Sequence, residues 1–289
     1  MSPTTPKLRV SAVSYLNTTP LVWGMLHGPQ AGLFDLDFRV PAGCADQLAA
    51  GAADIGIVPS FELTRQDLEI LPGTGIACHG AVRSILLISS RPAGQIRTLA
   101  ADSSSRTSVE LVRVILQRRY GAEPESIPHA PDLEAMLRIA DAALIIGDPA
   151  LRIEPALLPY HVYDLGAEWV EMTGLPMVFA VWAGRKGAVT PAVVEAFRDS
   201  CRYGRERLDE IVASESARRE FQPGLVREYL TRHIVHELGP REYQGMELFL
   251  DYARRLERST RRPSRGTAEG TGAGSRFGST GAAESEPRF

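Results

Sequence analysis

Thr173-Gly174-Leu175-Pro176-Met177-Val178-Phe179-Ala180-Val181-Trp182 separates two kinds of pattern in this chain of 289 residues. Gly174 and Pro176 punctuate a turn, and the β-branched and aromatic run behind them predicts a buried strand over 177–182. Upstream, short aliphatic runs alternate with helical spacing. Strands are predicted over 8–13, 34–40, 54–58, 84–90, 98–101 and 142–146, and helices over 20–26, 44–50, 108–120 and 132–139. Downstream, from Thr190 to Leu256, helix follows helix, opened by Thr190 as a cap with Pro191 at the first helical position. Alternating strands and helices predict βαβ units in mostly parallel sheets. The quoted stretch then reads as the strand that returns from an inserted lobe. The expected organisation is α/β and two-lobed: residues 1–92 begin the first lobe, 93–182 form the second, and 183–257 return to the first as mainly helical chain. Two crossings make a hinge, and the cleft beside it is a favoured place for a small ligand.

The formal charge of −3 is unevenly spread: residues 258–289 carry six Arg and three Glu, a tail of +3 on a body of −6. An acidic body gives nucleic acid no long-range attraction, so any anion must be held by local donors. The tail is rich in Gly, Ser, Thr and Arg and poor in aliphatic residues, which predicts disorder. Cys44, Cys78 and Cys201 lack metal-binding or disulfide spacing and read as free thiols. The amino-terminal residues pass into a strand pattern without the apolar core of a secretory leader, and no run approaches the length of a membrane helix. The expected location is cytoplasmic.

Ligands of such sheets sit beyond the carboxyl ends of strands. One such end is Ser14-Tyr15-Leu16-Asn17-Thr18-Thr19-Pro20. Thr19 and Pro20 already make a helix start, so the Asn17 amide either faces a ligand or fixes the turn through its own backbone. A second is Asp102-Ser103-Ser104-Ser105-Arg106-Thr107-Ser108, where Thr107 and Glu110 have capping-box spacing. The free N–H groups of that helix start, with the hydroxyls of Ser104, Ser105 and Thr107 and the charge of Arg106, suit a carboxylate or phosphate, although serine clusters also serve as plain caps. In a third, Gly147-Asp148-Pro149, Asp148 reads as a structural cap.

Other chemistries lack their residues. Lysine occurs only at Lys7 and Lys186, neither suited to Schiff-base work, and phosphate-loop, dinucleotide and nucleophile-elbow motifs are absent. His233 and His236 have no third ligand at metal spacing and read as two polar positions in the terminal helices.

Five segments together resemble one family: Ser14 to Leu21, Asp54 to Ser60, Ser104 to Ser108, Leu144 to Leu151 and Thr173 to Trp182. They are similar to the MqnA type of the menaquinone biosynthesis family, the chorismate dehydratases of the futalosine route, and the likeness runs from about Leu8 to Leu256. The related dihydroxynaphthoate synthases open with a Ser-Pro-Cys-Pro-Asn-Asp type segment that this chain lacks. The resemblance implies the fold of type II periplasmic binding proteins, conversion of chorismate to 3-[(1-carboxyvinyl)oxy]benzoate, and no metal or organic cofactor. It implies catalytic roles for Asn17 and for Ser84, at the start of the first inter-lobe strand. It makes residues 104–108 a carboxylate seat, with Tyr15 and Gly147 as further substrate contacts. The substrate's own enolpyruvyl carboxylate has been proposed as the base in this family. Chorismate is then the one expected partner, with no nucleic acid, membrane or obligate protein partner. The competing class is a small-anion receptor or sensor built on the same two lobes.

Overall fold

The computed structural model describes residues 7–260. The chain runs β1 (Arg9–Val13), α1 (Thr19–His27), β2 (Asp35–Arg39), α2 (Pro41–Ala49), β3 (Ile55–Pro59) and β4 (Glu69–Cys78), then crosses to the second lobe. There it forms β5 (Ile85–Ser89), β6 (Thr98–Asp102), α3 (Arg106–Tyr120), β7 (Glu125–His129), α4 (Leu133–Ile139), β8 (Ala142–Ile146), α5 (Gly147–Leu151), β9 (His161–Asp164) and α6 (Leu165–Thr173). It returns through β10 (Met177–Gly184) to α7 (Pro191–Glu206), α8 (Leu208–Arg219), α9 (Pro223–Glu228), β11 (Val235–Glu237) and α10 (Pro240–Thr260). The architecture is the expected two-lobed α/β one.

The sheets are mixed rather than mostly parallel. One has the order β11-β4-β10-β3-β1-β2 and the other β7-β6-β8-β5-β9. Parallel pairing is confined to β2-β1-β3 and to β7-β6-β8; the crossing strands β5 and β10 pair antiparallel on both sides. Sheet membership also corrects the expected lobe limits. Its ladders to β8 and β9 put β5 in the second lobe, and those to β3 and β4 put β10 in the first. The crossings therefore fall at residues 79–84 and 174–176. Helix α10 continues to Thr260, past the expected start of the tail, and residues 261–289 lie outside those described.

Central strands β3, β5 and β8 are buried at every position, which is why they read as continuous aliphatic runs without alternation. Behind β10, Trp182 packs edge-on against Phe197 with ring centroids 4.8 Å apart. Trp169 of α6 packs on Phe249 of α10 and donates its indole N–H to Pro176 O at 3.1 Å, which anchors the return crossing. Full burial of each such ring contributes roughly 2–3 kcal/mol. Helices α1 and α7 meet closely: a Cβ on Gly204 would sit 2.3 Å from Pro20 O. Asp164 ties the first crossing to the start of α6. Its carboxylate accepts from Val82 N and Arg83 N at 2.9 and 2.6 Å, and it caps α6 through Gly166 N and Ala167 N at 3.0 and 3.1 Å. Arg83 has a φ of 65°, and its guanidinium donates to Ala150 O and Ile153 O, offsetting the strain of that turn. The next residue, Ser84, is thereby held at the cleft.

Candidate active site

A pocket lies at the hinge, where the two lobes face each other, the place a two-lobed fold favours for a small ligand. Its walls come from both lobes. Val13, Tyr15, Asn17, Thr18, Pro41, Ile57, Pro59 and Ile76 stand on the first; Ser84, Ile85, Ser105, Ser108, Ile146 and Gly147 stand on the second; Phe179 and Ala180 of β10 complete it with Val82. Its described lining includes no Asp, Glu, Lys, Arg or His.

Asn17 lies in the 3-10 turn Leu16–Thr18 that leads into α1, and its side chain caps neither element. Its Oδ1 accepts from Thr18 Oγ1 at 3.3 Å, and its backbone carbonyl accepts from His236 Nε2 at 2.8 Å. The helix start differs from the expected one. Thr19 is the first helical residue, not the cap, and its hydroxyl reaches Glu215 at 3.5 Å. Ser84 is buried; its Oγ accepts from the Tyr229 hydroxyl at 2.7 Å, and its carbonyl accepts from Gly147 N at 2.8 Å. Gly147 has a φ of 64°, and a Cβ there would stand 2.6 Å from the Tyr15 ring, so only glycine lets that ring lie against the loop. The Tyr15 hydroxyl shares a 3.3 Å hydrogen bond with Ser104 Oγ, and burial pushes its phenol pKa up.

At the start of α3 the cap is Ser105, not Thr107: Ser105 Oγ accepts from Ser108 N at 3.3 Å and pairs with Ser108 Oγ at 3.0 Å. Thr107 turns away from the pocket. It is fully buried against the first lobe, where its Oγ1 accepts from Phe61 N at 3.1 Å. Arg106 also leaves the pocket, drawn to Glu62 at 2.9 Å and Asp46 at 2.7 Å, two carboxylates of the first lobe that neutralise its charge. Ser104 sits behind Tyr15 rather than on the wall, its N–H donating to Asp102 Oδ1 at 2.9 Å. Burial pushes the Asp102 carboxyl pKa upward. Asp148 caps no helix. It accepts from Leu16 N at 3.0 Å and pairs with Arg219, tying the Asn17 turn to the second lobe. The structure thus brings Tyr15, Asn17, Ser84, Ser105 and Gly147 together and leaves Arg106 and Thr107 as bridges between lobes.

Two residues beside the pocket were not singled out from sequence. Tyr229 is fully buried beneath Ser84, and nothing in its neighbourhood of charged helical residues marks it. His236 was visible as part of a histidine pair, yet it lies on β11 rather than in a terminal helix, buried under Asn17; His233 bonds Ala81 O instead. Burial lowers the His236 pKa to about 4, so it is a neutral donor. The three cysteines are buried and free, with Cys44 pushed to about 11 and Cys78 and Cys201 to about 12 by burial. No described helix is long and apolar enough to cross a membrane.

A cleft between two α/β lobes joined by paired crossings defines a protein of the periplasmic-binding-protein fold. Solved structures of that kind superpose on most of the chain. A protein from Archaeoglobus fulgidus does so with a TM-score of 0.65 and 16% identity, covering 88% of this chain and 97% of its own. The periplasmic aliphatic sulphonate binding protein of Escherichia coli gives a TM-score of 0.58 and 16% identity, covering 96% and 98%. The chain itself belongs to the menaquinone biosynthesis family, whose sequence profile matches residues 8–255. It is 34% identical over 255 residues to the chorismate dehydratase of Thermus thermophilus, covering 82% of this chain and 92% of the relative. With the chorismate dehydratase of Campylobacter jejuni it shares 25% over 251 residues, covering 84% and 96%.

Proposed function

We propose that this chain is a chorismate dehydratase, a carbon–oxygen hydro-lyase that converts chorismate to 3-[(1-carboxyvinyl)oxy]benzoate and water on a futalosine-type route to menaquinone. The family and the two relatives support the reaction. The observation that carries the mechanism is the described lining of the cleft, a mostly apolar wall into which Asn17, Ser84, Ser105 and Ser108 bring amide and hydroxyl groups and no side chain brings a charge.

The reaction suits such a site. The C3–H bond of chorismate breaks and its electron pair becomes the new ring double bond, while the C4–O bond breaks and hydroxide departs. The enolpyruvyl carboxylate takes the C3 proton and delivers it to the hydroxide as water. Aromatisation supplies much of the driving force, so the protein's task is to hold the reactive pose and donate to developing negative charge. Asn17 and Ser84 are the donors in this reading. Ser105 and Ser108, at the N-terminus of α3, seat a carboxylate. No protein base is required, and none lines the described cleft.

An anion receptor would use the same fold, and the sulphonate-binding relative shares it at 16% identity. Incubation of purified protein with chorismate, followed by mass spectrometry, separates the readings. The enzyme yields a product lighter by one water, at a rate proportional to protein concentration; a receptor returns chorismate unchanged.

A further inference from the structure

The two donors share a support from a distant part of the chain. After α9 the backbone makes a π-helical turn, Tyr229–His233, before entering β11. Such turns are rare and recur at functional sites. Here Tyr229 opens the turn. Its ring is 1% exposed and stays off the pocket wall, yet its hydroxyl donates to Ser84 Oγ at 2.7 Å.

A serine hydroxyl carries one proton and rotates freely unless a partner fixes it. By occupying an acceptor position on Ser84 Oγ, Tyr229 turns the serine's own proton away from the phenol. Ser84 lines the cleft, so the cleft is where that proton is directed. Burial raises the Tyr229 pKa well above the ordinary phenol value, which keeps the group a donor throughout the working pH range. From the other side, His236 donates to the Asn17 carbonyl and fixes its backbone.

We infer that Tyr229 is a positioning residue for the dehydration, holding the Ser84 hydroxyl in donor orientation without touching the substrate. The inference rests on the dehydratase reading. The test is a double-mutant cycle with Tyr229→Phe, which keeps the ring and its packing and removes only the hydroxyl. Tyr229→Phe is expected to lower kcat on the order of tenfold while KM and calorimetric affinity for the aromatic product stay within about threefold. In the Ser84→Ala background, where there is no serine proton left to direct, the same change is expected to lower kcat by no more than about threefold. A Tyr229→Phe enzyme with wild-type kcat overturns the inference, as does an equal loss in both backgrounds. Product affinity reads folding separately: a variant that loses affinity and turnover together assigns Tyr229 to packing and also overturns it. Wild-type protein that fails to dehydrate chorismate would instead remove the functional reading on which the inference stands.

Discussion

Replacing Asn17 with Ala removes an amide that caps no helix, so turnover rather than stability should suffer. A donor lost from a preorganised site commonly costs about 3 kcal/mol, or roughly a hundredfold in rate. Both Asn17→Ala and Ser84→Ala should show a loss of that order in product release at saturating chorismate, with melting temperatures close to wild type. Asn17→Asp should be at least as damaging, because it sets a carboxylate against a dianionic substrate. Near-wild-type rates for both alanine variants would remove the proposed donors. Asn17 was legible as a candidate because the residues after it already read as a helix start. Ser84 was not: a serine at a strand's first position carries no signal, and only the family resemblance singled it out. Tyr229 and His236 had no signal towards the site, since their contacts span 145 and 219 residues of sequence.

Among the elements, β11 makes its mark through pH. His236 is neutral in the folded chain with a pKa lowered to about 4, against an ordinary value near 6.5. Between those values the unfolded chain binds a proton that the folded chain refuses, so stability is fully present above pH 6.5 and lost as pH falls towards 4. The slope is up to about 1.4 kcal/mol per pH unit, about 3 kcal/mol in all. Denaturant midpoints from pH 7 to 4.5 should fall more steeply for wild type than for His236→Gln, which keeps a donor and does not titrate; parallel curves would contradict this. The start of α7 was readable because Thr190 caps it by accepting from Val193 N, the third residue on. The start of α3 was not, because Ser105 and Thr107 are both good caps and tertiary contact decides between them. Thr107 is taken up by Phe61 of the other lobe, leaving Ser105 to cap. β10, by contrast, was readable from its start to Trp182 as an apolar run behind a turn punctuated by Gly174 and Pro176, and it continues two residues further to Gly184.

On the scale of the whole molecule, the two lobes are held together across the cleft by Arg106 to Glu62 and Asp46, by Leu16 to Asp148, and by Ala42 N to Ser104 O. Arg106 was expected to meet the substrate. Its place in the closure could not be read from sequence, because the carboxylates that capture it belong to the other lobe. Glu62 is buried, so Arg106→Ala removes the shorter of its two ion pairs. Arg65 at 3.8 Å and a donor from Gln66 remain, which limits the loss to about 2 kcal/mol against the 3–5 kcal/mol of a fully abandoned buried ion. The variant should melt earlier and show a raised KM with kcat less affected; an unchanged KM would mean that this bridge does not set closure. The two-lobed plan was legible, but the mixed sheets were not, because alternating strands and helices do not reveal which strand crosses a hinge and pairs antiparallel on arrival. The central claim is that an uncharged cleft dehydrates chorismate with the substrate as its own base. Its most direct test is kcat for release of 3-[(1-carboxyvinyl)oxy]benzoate measured from about pH 6.5 to 9, where a protein base poised near neutrality would show a titration limb. The account predicts a flat profile; a limb in that range, abolished by substituting one protein side chain, would contradict it.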